Sequence, residues 1–176
     1  MNIQKQLHII TGVFDEYRRQ LDTIPDDEFD VTPPQGGWSC AEVYSHIMQA
    51  TIMSSMALER CMHTSSKPDN KKMNIWGWYV MLSNRFPPIK TRVPKSVESK
   101  MPITKISKEE AKNLIIKCRK RMDEMATFIK DGQSVRRTQH PRLGMLTALQ
   151  WFKFTRIHLQ HHLKQLARIN QNLHSQ

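Results

Sequence analysis

Two histidines four residues apart, His158 and His162, stand in the stretch TRIHLQHHLKQL that runs from Thr155 to Leu166. On a helix, side chains at that spacing lie one above the other on the same face. Two imidazoles so placed can share one metal ion, and a helical bundle supplies further ligands from facing helices. With Thr155 and Gln165 they form a narrow polar stripe beside Leu159 and Leu166, so the stripe faces an interior or the mouth of a cleft. His161 points elsewhere, being rotated by about 100° per residue. Eight histidines in 176 residues make such a pair a common accident. The spacing therefore also fits a hydrogen-bonded polar pair in a core, or a solvated basic face. Burial decides, because an interior imidazole needs a hydrogen bond or a cation.

A third ligand has to come from another segment. His46 lies among Val43, Ile47 and Ala50, on or near an apolar face, and is the best-placed candidate. A single histidine in that setting is more commonly a hydrogen-bonded core residue. His8 sits at a seam edge and is weaker; His63 and His174 fall at segment ends and are expected to be solvated. His140 precedes Pro141 and reads as a structural turn residue rather than a group supporting a ligand. Gln49 and Gln165 can face the same side as the histidines, but both also suit the polar margin of a seam.

Other chemistries find no residues. Cys40, Cys61 and Cys118 are too widely spaced for a zinc knuckle, and their odd number gives no disulfide framework. Cys40 falls in a first helical turn, where a thiol can be activated, but it has no partner suggesting a nucleophile. There is no HExxH, no phosphate-binding glycine loop and no pair of Glu-x-x-His segments for a di-iron site.

Four amphipathic segments position these residues. The first carries Ile3, Leu7, Ile10, Phe14, Tyr17, Leu21 and Ile24 at alternating steps of four and three, and should end near Pro25. The second starts after Ser39, where Ser39 and Glu42 form a capping box, and runs to about His63 with Val43, Ile47, Ala50, Met53, Ala57 and Cys61 along its apolar stripe. The third begins with another capping box at Ser107 and Glu110, follows Ala111, Ile115, Cys118, Met122, Met125 and Ile129, and meets a stop at Gly132. His140-Pro141 and Gly144 mark a turn. Thr147 with Gln150 then opens the fourth segment, from about Ala148 to Asn172, with Leu149, Phe152, Leu159, Leu163 and Leu166 facing in. Residues 65–106 read as a long irregular crossover. MNIWGWYVMLSN forms a short helix or buried segment within it, and the proline-rich stretch after it is extended. No run has a convincing strand period. The expected fold is all-α: one domain, 1–176, a mostly antiparallel four-helix bundle with a long crossover between its second and third long helices.

The formal charge of +11 raises the case for an anionic partner. The basic residues are spread out, however, and only Lys117 to Arg121 is dense. No aromatic residues alternate with them for base stacking, so nucleic acid is disfavoured. No apolar run approaches the ~20 residues of a membrane span. No membrane partner is expected, and the start of the chain lacks a signal-peptide pattern. A cytoplasmic location is the simplest home for unpaired cysteines.

The combination resembles the DinB-like family of metal-binding bundles. The residues that carry it are Gly37-Trp38-Ser39 leading into a helix with His46, then HPRLGMLTALQW from His140, then His158-x-x-x-His162-x-x-Gln165. The resemblance implies that His46, His158 and His162 bind a divalent metal, zinc or nickel. It also implies a homodimer, and hydrolase or thiol-transferase activity on a small molecule. Three imidazoles leave an open coordination position, the form of a catalytic zinc site. No catalytic residue or substrate is named by the motif. The alternative is a non-catalytic basic bundle that binds an anionic partner.

Overall fold

The computed structural model of the chain describes residues 1–63, 71–87, 101–131 and 136–173. Four long helices carry the fold: α1 (Ile3–Thr23), α2 (Cys40–His63), α4 (Lys108–Asp131) and α5 (Ala148–Leu173). A shorter helix, α3 (Ile75–Ser83), lies in the crossover, and a two-stranded antiparallel hairpin, β1 (Arg137–His140) and β2 (Gly144–Thr147), precedes α5.

The helix starts follow local chemistry. Asn2 caps α1 by accepting from the Lys5 amide at 2.9 Å. The reciprocal boxes form at all three expected places. Glu42 accepts from the Ser39 amide (2.8 Å), Glu110 from the Ser107 amide (2.7 Å) and Gln150 from the Thr147 amide (2.9 Å). Each pairs donors that the first turn of a helix would otherwise leave unsatisfied.

Packing runs around a square. α2 packs on α4 and α5, and α1 packs on the same two, so α1 and α2 stand at opposite corners. Consecutive helices α1 and α2 run antiparallel, and the long crossover lets α4 return parallel to α2, with Met48 beside Cys118 and Glu59 beside Arg121. α2 and α5 run antiparallel, with Cys40 at Asn170 near the end of α5 and Cys61 at Leu146 in β2, just before α5 begins. Ile10, Phe14, Tyr17, Tyr44, Ile47 and Phe152 are fully buried at the centre. Two tyrosine hydroxyls tie corners together: Tyr44 donates to the Tyr17 carbonyl (2.7 Å), and Tyr17 donates to that of Leu159 (2.8 Å).

Several sequence expectations are corrected. The hairpin was not expected, because four-residue strands are too short to display a two-residue period. Within the crossover, MNIWGWYVMLSN forms the expected short helix, α3, and residues 71–87 are tied to the hairpin. Met73 bridges to Gly144, and the Asn74 amide donates to the Leu143 carbonyl at 3.1 Å, pinning α3 to the hairpin. Met53 and Leu149, placed on apolar stripes, are 43% and 41% exposed, because each falls at the edge of its helix's packed face. Gly132 and residues 88–100 lie outside the described residues.

Candidate metal centre

The corner where α2 meets α5 brings His46, His158 and His162 together. One ligand nitrogen from each lies within 4.8 Å of the others. His158 Nε2 and His162 Nε2 are 3.0 Å apart. Ligands at ~2.0–2.1 Å around a tetrahedral zinc sit about 3.3 Å from one another, so the pair is near the spacing a shared cation requires. His46 and His162 are 6% and 7% exposed, and His158 is half-buried.

Burial keeps these rings neutral. It pushes the His46 pKa down to about 4, with nearby His161 adding to the effect. Burial, then the neighbouring imidazoles, holds His158 and His162 well below the usual histidine range. Neutral imidazole is the form that offers a lone pair to a metal. Gln165 Oε1 lies 2.8 Å from His162 Nδ1. With that oxygen accepting, the ring proton sits on Nδ1 and the lone pair on Nε2 faces His158. His46 Nδ1 is buried without a hydrogen-bond partner among the described residues. An orphaned nitrogen beside two converging imidazoles, with no carboxylate or lysine in the set, fits a borderline-soft divalent ion.

The walls are aromatic. Trp38 stacks parallel to His162 at 6.3 Å and packs against His46 at 4.9 Å. It reaches them from a loop steered by Gly36 and Gly37, whose φ angles of 77° and 105° suit glycine. Phe154 and Phe86 cover His158, at 5.1 and 5.7 Å. Phe86 is held by the turn after α3, where Arg156 donates to Asn84 Oδ1. The polar stripe marked the histidines, but these three aromatics and Arg156 carry no spacing signal. Only the motif position of Trp38, just before the cap, hinted at a role.

The remaining candidates separate. Exposed His161 packs beside Phe86 at 4.9 Å and is not in the cluster. His140 Nδ1 accepts from the amides of Arg142 and Leu143, both at 3.1 Å, so it is the turn residue its sequence suggested. Gln49 turns back to donate to Ser45 (2.9 Å), and Thr155 donates to the Trp151 carbonyl (3.0 Å), so both are hydrogen-bonded within their own helices. His8 is exposed, His174 lies outside the described residues, and so does the side chain of His63. Burial raises the Cys40 and Cys118 thiols to about 12, which keeps them protonated.

Fold and site together define a four-helix bundle with an interior three-imidazole corner. The chain belongs to the DinB superfamily, whose family model matches residues 10–166. Two solved structures share the fold. TT2238, described as a four-helix bundle protein, has a TM-score of 0.64 at 17% identity, covering 95% of this chain and 99% of its own. YfiT from Bacillus subtilis is described as a probable metal-dependent hydrolase with an unusual four-helix bundle topology. It has a TM-score of 0.66 at 12% identity, over 97% of this chain and 87% of its own. No curated protein matches the chain.

Proposed function

We propose that the chain is a divalent-metal-dependent enzyme acting on a small molecule, by hydrolysis or thiol transfer, with His46, His158 and His162 as the ligands. The observation that carries this reading is the convergence of three imidazole nitrogens within 4.8 Å in a buried corner. Membership of the superfamily and the description of YfiT support the metal-dependent part. The ion is zinc or nickel, both suited to imidazole. When bound, it supplies a Lewis acid beside an open position. The chain's own groups do the rest. Burial keeps the three rings unprotonated, Gln165 fixes the orientation of His162, and Trp38, Phe86 and Phe154 shield the corner from water. The described helices share one core, which supports reading 1–176 as one unit. The family resemblance suggests a homodimer, and three free cysteines suit a reducing cytoplasm.

The anion-binding alternative has less support. Two of the four basic residues in the dense run are committed to other helices, with Arg119 paired to Asp15 and Arg121 to Glu59. Elemental analysis of tag-free protein is the test, followed by screening of the loaded protein for ester or amide hydrolysis and thiol transfer. About one zinc or nickel per chain is expected. A clean protein that holds neither and takes up neither would end the proposal.

A further inference from the structure

α3 presents its apolar residues to the outside. Ile75, Trp78, Tyr79 and Leu82 fall at steps of three, one and three, which is one helical face. They are 78%, 50%, 37% and 74% exposed, with Trp76 at 50% beside them. The opposite face, Gly77, Val80 and Met81, is buried. The helix cannot roll to reverse this. A Cβ on Gly77 would meet the Leu143 carbonyl at 2.5 Å, so the backbone is seated too closely for any other residue. Asn74 caps the start by accepting from the Gly77 amide (2.9 Å) and donates to the Arg142 carbonyl (2.8 Å). Lys153 Nζ donates to the Met81 carbonyl at the other end (2.7 Å). The fold therefore holds an aromatic and aliphatic ridge outward, a surface that ordinarily marks an interaction site.

Charge indicates what covers it. Exposed Lys72 and Arg85 flank the ridge along the chain, and residues 71–87 contain no Asp or Glu. A second copy seated on this same patch would bring its Lys72 and Arg85 towards these, so the proposed homodimer would use another face. An anionic bilayer complements it. Trp and Tyr favour the headgroup region, and basic residues beside an apolar face add attraction to anionic lipid. We infer that α3 docks this protein on anionic membrane surfaces, with Ile75, Trp78, Tyr79 and Leu82 inserted and Lys72 and Arg85 against the headgroups. Nine residues span only about 13 Å at ~1.5 Å each, so α3 lies on the bilayer. This agrees with the finding that no helix among the described residues is long and apolar enough to cross one. The expectation of no membrane partner rested on the lack of a span, which holds among the described residues; docking on a surface is a separate matter. The inference is independent of the metal reading.

The test is co-sedimentation of the full chain with vesicles of phosphatidylcholine, with and without phosphatidylglycerol, at ~0.1 M salt, where surface charges beyond about 10 Å are screened. Binding to the anionic vesicles alone is expected. Trp78→Ser with Leu82→Ser should abolish it while keeping the wild-type melting temperature. Leu82→Ser alone, at a side chain 74% exposed, keeps the test available if the double variant unfolds, and should weaken binding. Lys72→Gln with Arg85→Gln should weaken it roughly thirtyfold, from the contribution of two basic residues near a charged surface. Four results would overturn the inference. These are no sedimentation with anionic vesicles, equal binding to pure phosphatidylcholine, apolar-face variants that bind like wild type, and a solution dimer that Leu82→Ser splits into monomers without lipid.

Discussion

At the α2/α5 corner three imidazoles lie inside, while on α3 five large apolar side chains lie outside. Both places reverse the usual rule of burial, and both are held there by ordinary packing around them. The corner is fixed by two long helices whose other faces carry the core. α3 is fixed by a hairpin carbonyl that only a glycine can approach. Neither reversal lowers the free energy of the isolated chain, since buried imidazoles lose hydration and exposed tryptophans gain nothing from water. Each therefore makes sense against something outside the chain: a cation in one case, an interface in the other. The comparison is open to attack from either side.

The largest effect should come from deleting apolar volume in the two regions in turn. Leu166, beside the histidine stripe, is fully buried, and Leu166→Ala should cost about 2–5 kcal/mol through lost burial and a residual cavity. Leu82 is 74% exposed, and Leu82→Ala should stay within about 0.5 kcal/mol. Urea unfolding of both variants measures this directly. A destabilisation at Leu82 matching that at Leu166 would mean α3 packs its outer face, and the contrast would fail.

Acid should act next. Burial, then nearby Arg142, lowers the His140 pKa to about 4, and its Nδ1 accepts two backbone amides that protonation would strand. The folded state thus binds fewer protons than the unfolded one, whose histidine titrates near ~6.5. Stability is lost as pH falls from there towards about 4, by on the order of 3 kcal/mol for this one residue. His46, also lowered to about 4, adds the same sign. Melting temperature against pH in chelator should fall through this window. His140→Asn, neutral but still an acceptor, should flatten the curve.

The two regions were unequally legible in sequence. The long helices announced themselves through capping boxes and runs of five to seven apolar positions, and the His158–His162 spacing survives any rotation of its helix. His46 was readable only as a residue on a core face, because periodicity gives the face but not the partner across it. α3 was harder. Its sequence IWGWYVMLS is apolar nearly all round, so no moment selects an inner side. That choice is made by Gly77 meeting a carbonyl from residue 143, a contact between segments far apart in the chain. Trp38 stacks on His162 from a loop, and Phe86 packs edge-on against His158 from a turn, where spacing carries no direction.

Ligand removal should divide the four histidines of this corner sharply. His162→Ala should weaken zinc affinity by at least about a hundredfold, beyond what loss of an orienting partner costs. His161→Ala, next to it in sequence but outside the cluster, should leave affinity near wild type. Zinc competition against a chromophoric chelator reads both. Equal losses would mean that helical direction does not select the ligands.

The smallest shift tests orientation rather than ligation. Gln165 touches His162 Nδ1 at 2.8 Å and fixes which nitrogen keeps its lone pair. Gln165→Leu keeps much of the volume but removes the acceptor, so the ring loses its preferred tautomer and part of its basicity. Zinc affinity should fall roughly tenfold, the lower figure for such a partner. Gln165→Glu, which keeps an acceptor and adds charge to the ring proton, should restore or exceed the wild-type value. If both variants bind zinc like wild type, His162 is oriented by Trp38 stacking instead, and the corner is positioned by its aromatic walls rather than by its hydrogen bonds.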